Sequence, residues 1–197
     1  MKLHPLVVPL SIVVLAAACT SGPPTSTDAS ASAAPSVVAV LQPTRGNSAA
    51  GTVWLTQAGS EVLLRGRITG LVPGQEHGFH VHEKGDCSSG DGMSAGGHLN
   101  PTAKPHGPQQ AAHHAGDLPA LKADGAGTAT VRMKVEGSVL GSGAGDLAGK
   151  ALVVHASPDD YATQPTGNSG ARIACGVVSS SAGVDAEGRS VPMPKDL

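Results

Sequence analysis

The sequence predicts an all-β domain: eight short antiparallel strands forming a sandwich or barrel with two long loops. Three observations carry that expectation. The 197 residues contain one Phe, one Trp and one Tyr against 27 Gly and 15 Pro, so long amphipathic helices are improbable and Val, Leu, Ile and Ala must supply the core. From Ser36 onward, alternating and β-branched segments recur between turn residues, the pattern of a many-stranded antiparallel domain. Two stretches, 84–117 and 156–171, lack periodicity and are long for connections in a compact domain; loops of that length are usually functional or disordered.

Taken in order, residues 1–19 (MKLHPLVVPLSIVVLAAAC) have an early lysine, an apolar run from Leu6 to Ala18 and small residues before Cys19, the layout of a secretory signal. The run is too short to span a bilayer comfortably, and Pro5 and Pro9 argue against a buried helix. Its end, Leu15-Ala-Ala-Ala-Cys19, resembles a bacterial lipobox in which the cysteine carries lipid. Leucine stands one place earlier than such boxes usually have it, so plain secretion is the alternative. Residues 20–35 are rich in Ser, Thr, Pro and Ala and cannot bury a core; they read as a flexible linker between the signal and a folded domain at 36–178. Strands are expected near 36–42, 52–57, 61–69, 77–83, 118–123, 127–135, 150–155 and 172–178, with hairpin turns at Gln57-Ala-Gly-Ser60 and Asp124-Gly125. From Ser179 to Leu197 periodicity is lost, and a tail with little fixed structure is expected. The net charge of −2 and the lack of any basic run make nucleic acid a poor partner.

The chemistry is concentrated in residues 78–107, GFHVHEKGDCSSGDGMSAGGHLNPTAKPHG. His80 and His82 flank one valine, and residues two apart on a strand share a face, so both imidazoles can reach one ion while Phe79 and Val81 face a core. His98 and His106 follow in a Gly-, Asn- and Pro-rich stretch able to fold ligands back over that strand. Further on come Ala112-His113-His114-Ala115-Gly116-Asp117 and, at a strand end, Val153-Val154-His155. With Cys19 set aside, Cys87 and Cys175 remain, and in an exported protein they are expected to pair. Closing so long a loop would contribute about 4 to 5 kcal/mol in chain entropy, whether it serves to position ligands or only as a staple.

In their order, GFHVHEKGDC, SAGGHLNP, HG, HAGDL, VVH and GNSGARIACGVV resemble the motifs of the copper/zinc superoxide dismutases, over roughly residues 36–178. The resemblance implies a Greek-key, immunoglobulin-like barrel or sandwich with copper and zinc as cofactors. Copper would be held by His80, His82, His98 and His155, and zinc by His98, His106, His114 and Asp117, His98 bridging both. Imidazoles suit Cu(II), and three nitrogens with a carboxylate oxygen suit tetrahedral zinc. His114 is preferred to His113 because the family spacing is His-x-x-Asp; His113 and His4 are left as ordinary histidines. His77 matches a structural hydrogen-bonding position. Asp159 matches a carboxylate that orients one copper and one zinc ligand, and Arg172 an arginine that lines the copper mouth and attracts the anion.

The implied activity is dismutation of superoxide to dioxygen and hydrogen peroxide by copper redox cycling, with His98 as ligand and proton donor and zinc in a structural role. Ala156-Ser157 stands where eukaryotic members have Glu-Lys, and the insertion between Cys87 and His98 is of a bacterial kind. Together with the signal, this points to an exported, lipoprotein-like bacterial member in the periplasm or on the outer side of the membrane, protecting the envelope. Monomer and homodimer both fit. A copper store on the same scaffold is the rival, but storage has no need of Arg172.

Overall fold

The computed structural model describes Met1 and residues 36–179, and all of these except Met1 belong to one unit, Ala33–Leu197. The expected signal, linker and Cys19 lie outside the described residues, as do His4 and the tail from residue 180. Ser179, expected to begin that tail, is instead the last residue of a strand.

Among the described residues the domain is all-β, with one 3-10 turn at Met93–Ala95. Its strands are β1 Ser36–Pro43, β2 Ala50–Ala58, β3 Glu61–Thr69, β4 Glu76–His77, β5 Phe79–His82, β6 Leu121–Lys122, β7 Ala129–Glu136, β8 Ala151–His155 and β9 Arg172–Ser179. Seven form one curled sheet in the order β5-β8-β9-β1-β2-β3-β7, and β4 pairs with β6. Every one of these pairings is antiparallel. The crossovers from β3 to β5 and from β7 to β8 make a Greek key of what would otherwise be a meander.

Alternation builds the wall. In β3, Val62, Leu64 and Ile68 are buried while Arg67 and Thr69 are exposed, as a half-buried strand requires. These residues join Val53 and Leu55 of β2, Val131 and Val135 of β7, and Phe79 and Val81 of β5 in one core cluster. Each large aliphatic so buried contributes about 1.5–3 kcal/mol.

Two expected elements differ. The strand expected at 77–83 is interrupted at Gly78, whose N–H donates to Ser157 O (2.8 Å) and whose carbonyl accepts from His155 N (2.9 Å). That glycine is spent on the segment leaving β8, and a side chain there would strike Ser169. The strand expected at 118–123 shrinks to β6, because the residues before it turn to serve the site. The turn at Asp124 is closed by the Asp124 carboxylate, which accepts from Ala126 N and Thr128 N. It carries the chain from β6, paired with β4, to β7, paired with β3, so it is no hairpin. By contrast Gly59-Ser60 does join the paired strands β2 and β3.

Candidate metal centre

β5 alternates Phe79 and Val81 into the core with His80 and His82 on the opposite, outer face, and all four side chains are buried. The outer face is dry because both long loops close over it. The loop from 83 to 120 returns along the free edge of β5: Leu99 N donates to Val81 O (2.8 Å), and Val81 N to Gly116 O (2.9 Å). This sets His98 beside His82 and Asp117 beside His80. Gly116 is needed for that approach, since a β-carbon would collide with the Val81 carbonyl. His155 ends β8 at a β-bulge after Val154, an irregularity that re-aims the terminal side chain.

The result is two groups of ligand atoms, His80/His82/His98/His155 and His98/His106/His114/Asp117, each within 4.8 Å of one another and all buried. In the second, Asp117 Oδ1 faces the Nδ1 atoms of His98, His106 and His114 at 2.8, 2.9 and 3.3 Å. Its other oxygen accepts from Gly107 N and His114 N. The Nδ1 atoms of His106 and His114 have no hydrogen-bond partner despite those distances, because they are not aligned on the carboxylate. A cation held among the four atoms would remove that mismatch.

The first group tells the same story. His82 Nδ1 lies 2.9 Å from Gly96 O and His155 Nδ1 3.2 Å from Gly170 O, so each donates there. That leaves their Nε2 lone pairs facing each other at 3.3 Å, an arrangement repulsive without a cation between them. His80 gives its Nε2 to Asp159 Oδ2 at 2.6 Å. The atoms left over, His80 Nδ1 and His98 Nε2, are buried without a partner. Unsatisfied buried nitrogens cost about 1–3 kcal/mol each, and their convergence fits a bound metal ion.

Burial keeps the rings of His80, His82 and His155 neutral. Burial lowers the pKa of His80 to about 4, against the pull of Asp159, and burial lowers His155 to about 3 and His82 to about 2. Burial also opposes protonation of His106, but the Asp159 and Asp117 carboxylates outweigh it and raise its pKa. Asp117 is held well below the usual carboxylate range: burial works against ionisation, but the His98 ring and two backbone N–H groups prevail.

Asp159 spans the two groups, with Oδ2 on His80 and Oδ1 on His106 Nε2 at 2.9 Å. Gly167, at φ 65°, packs against both partners of that second bond, and a side chain there would strike Asp159 and His106. Arg172 donates to Gly92 O and Gly96 O, each at 2.6 Å, and with His82, His155, Met93 and Thr166 it lines an open cavity of about 240 Å³. His77 Nδ1 lies 2.8 Å from the His155 carbonyl and donates to it, outside both groups. His113 is half-buried and its Nδ1 donates to Ala111 O, whereas its neighbour His114 is buried. Cys87 and Cys175 form a disulfide closing 88 residues. It packs on Ala95, Ala151 and Val153 and so pins the loop that supplies Gly96 O. Sequence reasoning missed the carbonyls of Gly96 and Gly170, which leave no trace in residue type, and the anchors Tyr161 and Gln164.

The fold and paired clusters define a two-metal β-barrel protein, and comparisons with known proteins say which. The profile of the family described as copper/zinc superoxide dismutase (SODC) matches residues 49–178, and the chain belongs to that family. A relative from Caulobacter vibrioides, "Superoxide dismutase [Cu-Zn]", is 45% identical over 137 residues, covering 66% of this chain and 78% of the relative. A crystal structure of the clock protein EA4 superposes with a TM-score of 0.67 at 37% identity, covering 74% of this chain and 94% of that one. The protein is a superoxide dismutase of the copper/zinc type, with copper and zinc as cofactors and superoxide as substrate.

Proposed function

We propose that His80, His82, His98 and His155 hold copper, that His98, His106, His114 and Asp117 hold zinc, and that His98 gives one ring nitrogen to each. The observation that carries this reading is His98 itself: Nδ1 is 2.8 Å from Asp117 Oδ1 while Nε2 is buried without a partner beside the other group. Copper, when bound, supplies the one-electron exchange with superoxide, and zinc a fixed positive charge beside the shared ring.

The chain's own residues do the rest. Arg172 keeps a permanent cation at the cavity through which a small anion must come, and its two bonds to Gly92 and Gly96 fix that charge in place. His82 and His155 are locked in the Nδ1–H tautomer by backbone carbonyls, and His80 is oriented by Asp159, so each presents a defined lone pair. His98 Nε2 is the atom suited to take up a proton and release it to the departing peroxide. Burial of the rings under both loops keeps water from competing for these positions.

Residues 1–19 would direct export, with a lipid on Cys19 anchoring the domain by the 20–35 linker on the extracytoplasmic side of the membrane, where it would protect the envelope from superoxide. The layout of the apolar run, the small residues before Cys19 and the Ser/Thr/Pro/Ala linker support that reading. Detergent partition and the mass of the N-terminal peptide test it.

The test of the shared imidazole is magnetic. With Cu(II) in one site and Co(II) in the other, coupling through His98 should suppress the copper electron-spin resonance, and His98→Ala should restore it while slowing superoxide decay at least about a hundredfold. A copper signal of full intensity in the doubly loaded wild type sinks the assignment.

A further inference from the structure

His106 lies between Pro105 and Gly107, in a stretch with no strand or helix, yet it is buried, and its backbone N–H and C=O need partners. Both are met by one side chain 58 residues away: Gln164 Oε1 accepts from His106 N at 2.8 Å, and Gln164 Nε2 donates to His106 O at 2.9 Å. Two opposed residues of an antiparallel ladder exchange the same pair of bonds. The carboxamide thus acts as a one-residue strand laid beside His106, and among side chains of this length only Gln offers acceptor and donor together.

Gln164 follows directly on a turn that is itself tied down. The Asp160 carboxylate accepts from Ala162 N, Thr163 N and the Thr163 hydroxyl, and Gly167 N donates to Thr163 O. Nearby, the Tyr161 hydroxyl accepts from Ala120 N, and its ring lies parallel to that of His106. The 156–171 loop therefore grips His106 at its ring through Asp159 and at both backbone groups through Gln164.

We propose that Gln164 is a positioning residue for the metal centre, presetting the backbone of His106 so that its Nδ1 meets the ion without a loop having to order. The proposal rests on His106 being a zinc ligand. It is tested on the full chain with copper bound and Co(II) in the zinc site, by following the visible cobalt spectrum and its loss to an excess of chelator. Gln164→Met keeps the volume and loses both bonds; release should be roughly tenfold faster, as expected for two neutral hydrogen bonds, with a shifted cobalt spectrum. Gln164→Glu keeps the acceptor but sets a carboxylate against the His106 carbonyl, and should show the same shift and faster release. Thr163→Ala removes one of the three bonds to the Asp160 carboxylate while the two backbone ones and both Gln164–His106 bonds remain, and should leave the cobalt spectrum as in the wild type.

Wild-type release rates and spectra in both Gln164 variants overturn the proposal, as does a Thr163→Ala variant whose spectrum and release match those of Gln164→Met. A wild-type chain that never takes up cobalt at His106 overturns the zinc reading, and this proposal with it.

Discussion

The wall formed by β2, β3 and β7 and the wall formed by β5 and β8 belong to the same barrel but are built on different terms. The first is dry on one face and wet on the other: β3 alternates down its length and β7 alternates for most of it. The second is buried on both faces, with β5 and β8 buried at every position. Its inner face carries Phe79, Val81, Leu152 and Val154, but its outer face carries His80 and His82 under the loops. Polar groups placed there cost free energy unless fully satisfied, and four site nitrogens are not satisfied by protein atoms. One wall is held by apolar burial; the other carries nitrogens that metal ions would satisfy.

The largest expected effect follows directly. Stripping both metals should cost roughly 10 kcal/mol, on the scale of structural zinc sites, and lower the melting temperature by tens of degrees. Calorimetry gives the size, and hydrogen exchange gives the place: β5, β8 and the loops at 83–120 and 156–171 should lose protection, with β2, β3 and β7 nearly unchanged. Equal loss in both walls would break the distinction.

Leu64→Ala probes the other wall. Leu64 is fully buried, and its truncation should cost about 2–5 kcal/mol by urea unfolding, equally in metal-loaded and metal-free protein. A change in the rate of metal release would mean that the walls are coupled.

Acidification is the smallest probe. His80, His82 and His155 have pKa values lowered by burial to about 4, 2 and 3, so between those values and 6.5 the unfolded chain binds protons that the folded chain does not. Stability of the metal-free protein must therefore fall as pH drops below 6.5. From pH 7 to 5.5 the loss should be about 1 kcal/mol for each of the three rings. It is offset in part by His106, whose raised pKa works in the opposite sense. Urea midpoints across that range check it, and a flat profile would show the rings to be hydrated in the metal-free state.

Much of this was legible from residues alone where a local rule applies. The alternation of Val62, Leu64 and Ile68, the turn at Gly59-Ser60, and the placing of Phe79 and Val81 opposite His80 and His82 follow from a period of two and from glycine's freedom. The interruption at Gly78 was not legible. Nothing in GFHVH tells that its glycine must bond to the residue leaving β8, 79 positions on. The Asp124 turn was visible as a turn, but whether its flanks pair with each other depends on strands elsewhere. Gln164 had no local signal at all, because its partner is a backbone.

By itself the sequence determined the all-β class, the two long loops, and a set of side chains whose chemistry suits two ions. Strand period, turn residues and ligand type are properties of neighbours along the chain. The tertiary structure decided which lone pairs are left over: His82 and His155 turned toward carbonyls of Gly96 and Gly170, His80 toward Asp159, His98 between two groups. In His80, His82, His106 and His155 the nitrogen left to an ion is fixed because the other is taken, and what takes it arrives from distant loops held by a disulfide, a guanidinium and one carboxamide.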